Sequence, residues 1–158
     1  MKLSAMLFGV LFSFSAFAGS HFLAARSSTG FALYNPAAND VTLNVNALGM
    51  WSYREQDVFT AAGNPTRPHA LKGYIVPGKT EGALLVRLST GQFQVAGTNF
   101  QVTIPSHQKI AFVINDDLNS IVGNGFKDNH GELLLKWTTT DNKDVKLNIE
   151  EQDFDILD

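Results

Sequence analysis

Residues 41–47 read VTLNVNA, a stretch in which apolar and polar side chains alternate without interruption. Because successive side chains of a β-strand point to opposite faces, this alternation would turn the four apolar residues toward a core. The same period of two returns in three later segments: Phe93 and Val95; Phe100, Val102 and Ile104; Val145, Leu147 and Ile149. The pattern predicts a β-strand at each of these places.

Three denser apolar runs add further strands. Residues 83–86 and 111–114 read ALLV and AFVI, which predicts strands that are buried on both faces or that face a second sheet. Residues 132–137 read ELLLKW. Gly, Pro, Asn and Asp separate the segments, no stretch keeps an apolar helical period for long, and residues 20–30 give no strong signal. We therefore predict an all-β single domain, a β-sandwich or jelly roll.

The first 18 residues are typical of a secretory signal peptide. Lys2 provides a thin positive region, residues 3–17 are mostly apolar, and Ala16-Phe17-Ala18 forms a small-x-small cleavage site. The apolar stretch is too short for a membrane span, and no other segment approaches the ~20 apolar residues that a span requires. We expect cleavage after Ala18, a secreted or periplasmic protein without membrane insertion, and one domain over residues 19–158.

Composition narrows the classes of partner. The chain has no cysteine, and loss of the leader, whose only charge is on Lys2, changes the net charge from −3 to −4. A mildly acidic domain without a cluster of basic residues is a poor candidate for binding nucleic acid or anionic membranes. Without disulfides, packing and metal are what can hold a secreted domain together. The acidic end, residues 150–158, is predicted to be a tail.

Polar residues that could bind a cation follow the AFVI strand. Asn115-Asp116-Asp117 comes directly after it, and Asp128-Asn129-His130-Gly131 precedes the next strand. Carboxylate and amide oxygens are the ligands that Ca²⁺ prefers, usually six to eight with backbone carbonyls completing the shell. The spacing is not that of an EF-hand, and Asp, Asn and Gly are also ordinary turn residues, so a solvated hairpin loop is the alternative.

Four blocks in order carry a family resemblance. They are Gly49-Met50-Trp51-Ser52-Tyr53, Pro68-His69, the strand that begins at Gly82-Ala83-Leu84, and the pair Asn115-Asp116 with Asp128-Asn129-His130-Gly131. Over roughly residues 41–135 this order resembles the PA-I family of calcium-dependent, galactose-binding bacterial lectins. The resemblance implies a galactose-binding-domain-like β-sandwich, carbohydrate partners with galactose-type glycans first among them, and leaves a homo-oligomer open.

The resemblance also implies a ligand set for Ca²⁺. It assigns metal binding to the backbone carbonyls of Tyr53 and Gly125 and to the side chains of Asp116, Asp128 and Asn129. Two vicinal sugar hydroxyls would then bind the ion directly, since a hydroxyl oxygen resembles water as a calcium ligand.

Sugar contacts follow from the same resemblance. His69 would contact the primary hydroxyl of a hexose, and Asp116 and Asp128 would bind its other hydroxyls. Lys72 stands where the galactose-binding prototype has a glutamine, and Asp128 where it has an asparagine. The loop is also longer, with residues 118–124 as the insertion, so it would form an extra wall for the sugar or cover the site.

An enzyme and an interaction or structural module are the two alternatives to a lectin. No nucleophile elbow, zinc-protease helix or phosphate loop occurs in the sequence, and two carboxylates on one loop suit a cation better than a glycosidase pair across a cleft, so we predict a non-enzyme. The alternative from a different class is a calcium-stabilised protein-interaction or structural module without sugar binding. We expect Trp51 and Trp137 to pack in the core.

Overall fold

The computed structural model describes residues 19–54, 57–118, 124–141 and 145–151. The predicted leader, residues 119–123 of the predicted insertion and residues 152–158 of the predicted tail lie outside these ranges. The strands are β1 (Gly19–Ala24), β2 (Phe31–Tyr34), β3 (Val41–Arg54), β4 (Asp57–Phe59), β5 (Leu84–Arg87), β6 (Phe93–Val95), β7 (Asn99–Ile104), β8 (Lys109–Ile114), β9 (His130–Thr139) and β10 (Asn148–Glu151). A short 3₁₀ helix, Gly125–Asp128, lies between β8 and β9.

The strands form two antiparallel sheets. In sheet A the order is β1-β9-β3, and the far edge of β3 is shared by β7 along its first half and β4 at its end. Sheet B has the order β10-β2-β8-β5-β6. The inner faces of both sheets supply one core cluster, which includes Leu43, Phe112 and Leu133. The predicted β-sandwich is confirmed.

Alternation along β3 is what the sequence pattern requires. Val41, Leu43, Val45 and Ala47 are buried, whereas the residues between them are exposed or half-buried. Burial of each of the larger aliphatic side chains contributes about 1.5–3 kcal/mol to the stability of the fold. The 14-residue strand runs the length of sheet A, so its first residues and its last residues lie at opposite ends of the sandwich.

Strand β8 is buried on both faces, as the run of apolar residues predicts. One face lies in the main core. The other is covered by a smaller apolar cluster in which Phe126 packs with Leu85 and Val113, flanked by Ile75 and Val76. A loop and the 3₁₀ helix therefore supply the second cover, since no further sheet lies on that side among the described residues.

At the sandwich edges, β1 is a strand that the sequence did not predict and β10 is shorter than predicted. Strand β1 gives no clear sequence signal because it is an edge strand whose outward residues include an apolar one, Phe22, which is 55% exposed. Strand β10 begins at Asn148, so Val145 and Leu147 precede it and pack against the core without joining the sheet. Its last residues, 150–151, belong to the sheet instead of to an acidic tail. None of the described residues forms an apolar helix of membrane-spanning length.

Candidate metal and ligand site

Strand register brings two of the predicted ligands to the same end of sheet A. The last pair between β3 and β9 joins Ser52 to His130. Tyr53 follows Ser52 and Asn129 precedes His130, so both residues lie at the same end of the sheet. Tyr53 has no opposite residue on β4, because the register shifts between Ser52 and Arg54. Such irregularities redirect the backbone near functional sites.

Trp51 fixes the position of this strand end. It is 1% exposed and its ring lies 5.9 Å from that of Tyr53 and 5.8 Å from that of Phe59. Its other side meets Gly82, where a Cβ would lie 2.4 Å from the indole ring. The prediction that Trp51 packs in the core is confirmed, and so is that for Trp137, which is 3% exposed. Close contact at Gly82 ties β3 to the segment that leads into β5.

Asp116 lies just beyond the end of β8 and is 7% exposed. Its Oδ2 accepts a hydrogen bond from Asn129 Nδ2 at 2.7 Å, and its Oδ1 accepts one from the backbone N–H of Asp117 at 2.7 Å. Neither donor carries a charge. The first of these bonds joins the two halves of the predicted motif, which are far apart in sequence, within one site.

Asn129 is fully buried. Besides Asp116, its Nδ2 also bonds the backbone oxygen of Ala25 at 2.9 Å, and its own backbone oxygen accepts from Arg26 Nε at 2.8 Å. Its Oδ1 has no hydrogen-bond partner among the described residues. Because an unsatisfied buried amide oxygen costs about 1–3 kcal/mol, such an atom calls for a partner outside the described residues.

The 3₁₀ helix contains the remaining two predicted ligands and ends directly before Asn129. Gly125 opens the helix in a left-handed conformation, φ 55°, and is buried, while Asp128 ends the helix and is half-buried. The helix contacts β3. The negative charge of Asp128 raises the pKa of the Asp116 carboxyl.

Burial and nearby carboxylates perturb the pKa of Asp116. Burial raises the pKa of its carboxyl above the ordinary 3.8, the bonds from Asn129 and the Asp117 N–H lower it in part, and the charges of Asp128 and Glu81 raise it further. The environment therefore disfavours the ionised carboxylate. A cation at this point would reverse that effect, since opposite charge stabilises the ionised form.

The structure also contains a buried carboxylate that the sequence analysis did not identify, that of Glu81. Glu81 is 4% exposed, and Arg67 Nη1 lies 3.4 Å from each of its oxygens. Burial first, and then the charge and hydrogen bond of Glu81, raise the pKa of the Tyr74 hydroxyl well above its usual range. The hydroxyl of Tyr53 accepts a hydrogen bond from Asn64 Nδ2 at 2.8 Å, and burial followed by the influence of Glu81 raises its pKa also.

Glu81, Arg67 and Tyr74 escaped the sequence analysis because their contacts join distant segments. Gly82, which follows Glu81, is the one nearby sequence signal, because glycine allows another group to approach the backbone closely. Arg26, which holds the backbone oxygen of Asn129, lies in the segment that gave no signal.

Asn115 has a different role from its neighbour. Its amide oxygen accepts from the N–H of Val76 at 2.9 Å, and its Nδ2 donates to the backbone oxygens of Val76 and Thr80 at 3.2 and 3.1 Å. The carboxamide therefore braces the loop that precedes β5. It does not converge with the carboxylates on one point, as the sequence had suggested for this loop.

The predicted sugar contacts, His69 and Lys72, lie on that braced loop and are both exposed. His69 Nδ1 lies 3.2 Å from the backbone oxygen of Gly78. The loop reaches the site through backbone bonds, with Ile75 N donating to Asp116 O at 3.1 Å. No hydrogen bond or ion pair in the described chain joins His69 or Lys72 to the two predicted sugar-binding carboxylates. Their roles remain predictions.

Donor chemistry at the site suits a hard cation. Within the described residues there is no group of three or more His, Cys, Asp and Glu side chains placed to hold a metal. The predicted set has only two carboxylates and relies on an amide oxygen and backbone carbonyls, a mixture that Ca²⁺ accepts. The unpartnered Oδ1 of Asn129 and the buried carboxylate of Asp116 fit that ion. Most of the predicted insertion that would wall or cover the site, residues 119–123, lies outside the described residues.

Comparison with known proteins bears on the fold. No family model matches the chain, and no curated protein is significantly similar to it. Among solved structures it is similar to the N-terminal domain of EclA, described as a PllA-like lectin, with a TM-score of 0.54 and 15% identity over 78% of this chain and 98% of that domain. At this identity the likeness establishes a shared lectin-like fold. Membership of the PA-I family remains a prediction.

Proposed function

We propose that the protein is a secreted carbohydrate-binding protein that holds a hexose through a calcium ion, with galactose-type sugars as the first ligands to test. The observation that carries the proposal is the buried, unpartnered Oδ1 of Asn129 beside the buried carboxylate of Asp116. The likeness to a domain described as a lectin adds support of a general kind.

The residues that would hold the ion are those already described. Asp116 and Asp128 would supply charge, Asn129 its free amide oxygen, and Tyr53 and Gly125 their backbone oxygens. When bound, a calcium ion supplies positions that two vicinal sugar hydroxyls can occupy in place of water. The polypeptide's part is to keep these donors in place, through Trp51 on one side of the site and the Asn129 hydrogen bonds on the other.

Sugar specificity would come from the exposed loop. His69 and Lys72 lie on the segment that is hydrogen-bonded to the Asp116 backbone, so both could contact a sugar held there. A shallow site of this kind gives modest affinity for one sugar. Nothing in this arrangement requires an acid–base pair, and we propose binding without catalysis. The proposed location, secreted or periplasmic, rests on the leader alone.

Calcium-dependent retention on galactose-agarose tests the proposal. We expect the purified protein to be retained in calcium and to elute with a chelator or with free galactose, and we expect Asp116→Asn to pass through. Asp40→Asn is the matched control. Its carboxylate accepts a hydrogen bond from Ser106 N at 2.9 Å and it precedes β3, at the other end of the sandwich.

A second candidate is a calcium-stabilised interaction module without sugar binding. It is favoured by one observation, that no hydrogen bond or ion pair in the described chain joins His69 or Lys72 to either carboxylate. In that case calcium would stabilise the fold, but neither galactose nor other immobilised hexoses would retain the protein. Retention that persists in chelator would point to a protein-like surface and would contradict the calcium-bridged lectin.

A further inference from the structure

A cavity lies next to the predicted calcium ligands and is not used by them. It measures about 480 Å³, and its walls include Arg26, Asp117, Phe126 and Lys127. Ligand pockets of proteins have volumes of about 300–1,000 Å³. The cavity is therefore large enough for a ligand group the size of a sugar residue.

Contacts of the wall residues place the cavity against the proposed metal site. Arg26 Nε donates to the backbone oxygen of Asn129 at 2.8 Å, and the N–H of Asp117 donates to Asp116 Oδ1 at 2.7 Å. The other two wall residues belong to the 3₁₀ helix, Gly125–Asp128, whose first and last residues are predicted ligands. A ligand held by the proposed ion would therefore reach the cavity with its next residue.

The charge that the cavity presents to a ligand is positive. Arg26 and Lys127 are exposed, and no ion pair joins either of them to a carboxylate in the part of the chain that the structure describes. Asp117 is the only carboxylate among the described wall residues, and it is 1% exposed. Unpaired cations in a concave wall attract anions, even though the chain as a whole has a net charge of −3.

Bound calcium would strengthen this preference. When ionised, Asp116 and Asp128 together carry two negative charges, which a divalent cation balances. Arg26 and Lys127 would then set the sign of the field at this end of the molecule. Without the ion, the two carboxylates would oppose an anionic ligand.

The hydrogen bonds of Arg26 suit a carboxylate in particular. Its Nε is committed to Asn129, which orients the guanidinium plane, and neither Nη atom donates to any of the described residues. A guanidinium pairs with a carboxylate through two parallel hydrogen bonds. Phe126 packs with Leu85 and Val113 and so anchors the short helix that carries Lys127.

We propose that this cavity is a second subsite, which binds a carboxylate-bearing residue linked to the calcium-bound hexose. The inference rests on the proposed function and adds the class of glycan, an acidic oligosaccharide that ends in a neutral hexose. Arg26 would bind the carboxylate through its two Nη groups, and Lys127 would add a second, less directional charge. Leu118 and Asn124, the two ends of the predicted insertion, also line the cavity, so both would wall this subsite.

A matched pair of galactosides tests the subsite. Lactobionate and lactitol both present an unsubstituted terminal galactose, and they differ in one group of the attached chain, a carboxylate in the first and a hydroxymethyl in the second. Calorimetry in millimolar calcium should give a dissociation constant about tenfold lower for lactobionate. The difference should shrink in about 1 M NaCl. Gluconate, which has the carboxylate without the galactose, should bind far more weakly than lactobionate.

Variants of the two cations identify the cause of the preference. Lys127→Gln should reduce it by about threefold and leave the affinity for lactitol unchanged. Lys146→Gln is the matched control, since Lys146 is exposed and follows Val145, which lines a cavity with Asp40 at the other end of the sandwich.

Arg26→Lys keeps the charge and removes the planar fork, so it should also reduce the preference. Its readout is the ratio of the two dissociation constants, because Arg26 also holds the backbone of Asn129. Calcium affinity measured without sugar should not fall in Lys127→Gln, because the loss of a positive charge does not weaken the binding of a cation.

The outcomes separate this inference from the proposed function. Equal affinities for the two galactosides in calcium would overturn the subsite and leave the proposed function intact. A preference that survives both Lys127→Gln and Arg26→Lys would overturn the subsite, and so would gluconate that binds as tightly as lactobionate. Binding of neither galactoside would contradict the proposed function, and the subsite would be overturned with it.

Discussion

The hydrogen bond between Asp116 and Asn129 determines which polar atoms at this end of the molecule are available to a ligand. The Nδ2 atom of Asn129 is committed to Asp116 and Ala25, so the amide is oriented with Oδ1 left over. Under the proposed function, this amide oxygen and the Asp116 carboxylate, which has no charged donor among the described residues, would form a preorganised pair of cation ligands.

Removing the Asp116 charge should therefore abolish calcium binding while the fold persists. We expect Asp116→Asn to lower calcium affinity, measured by calorimetry, by at least the 10–100-fold that outer-shell changes typically cost. Asp40→Asn should bind like the unchanged protein, because it makes the same chemical substitution at the far end of the sheet. Equal loss in both variants would mean that general charge, and not this site, governs binding.

Acid should weaken calcium binding through the same residue. Burial, Asp128 and Glu81 raise the pKa of Asp116, and a metal ligand must be deprotonated, so affinity should fall as the pH drops through that raised pKa.

Metal-free protein should show the opposite dependence. With the folded pKa above the unfolded one, ionisation costs stability above the folded pKa, and this cost disappears as the pH falls below it. Denaturant unfolding of metal-free protein and of Asp116→Asn, between about pH 7 and pH 4, would measure the difference. A difference that does not change with pH would contradict the raised pKa.

Among individual residues, sequence reasoning reached those that belong to a local motif. Asp116 and Asn129 were singled out, and the structure joins them. Glu81 was not, because its buried position depends on Arg67 and on tyrosines from two other segments, none of which leaves a local pattern. The contacts of His69 and Lys72 depend on loop geometry that residue type does not specify.

At the scale of elements, the site depends on the start of β9, which directly follows Asn129. Gly131 has φ +87°, and a Cβ there would lie 2.6 Å from the backbone oxygen of Met50 on β3. Gly131→Ala should therefore lower the free energy of unfolding by about 3 kcal/mol, from the left-handed conformation and the backbone clash together.

Gly78→Ala is the control for this prediction. Gly78 also has a positive φ, +79°, but nothing lies within 4 Å of its added Cβ. Only the conformational cost of about 1–2 kcal/mol remains. Urea unfolding of both variants separates the two effects, and equal losses would mean that the contact between β3 and the start of β9 is looser than described.

Elements with a strong pattern were predictable, and edges were not. The alternation in β3 and the apolar run in β8 predicted the right type of strand. A strand that is buried on one face alternates apolar and polar residues, and a strand that is buried on both faces is apolar throughout. Strand β1 lacks that signature, since its exposed face carries Phe22 where the pattern expects a polar residue. Strand β10 is shorter than its alternation suggests, because Val145 and Leu147 pack on the core ahead of the sheet.

On the scale of the whole molecule, the proposed metal site occupies one end of the sandwich. Tyr53 lies near the end of β3, whereas Asp40 precedes the start of that 14-residue strand.

The most direct test of the central claim is thermal unfolding of the purified protein in millimolar calcium and in excess chelator. A ligand that binds only the folded state stabilises it by about 2.7 kcal/mol when present at 100 times its Kd. The account predicts a clearly higher Tm in calcium, and no calcium-dependent difference in Asp116→Asn. Superimposable curves for the unchanged protein in the two solutions would contradict it, and the acidic loop would then be an ordinary turn.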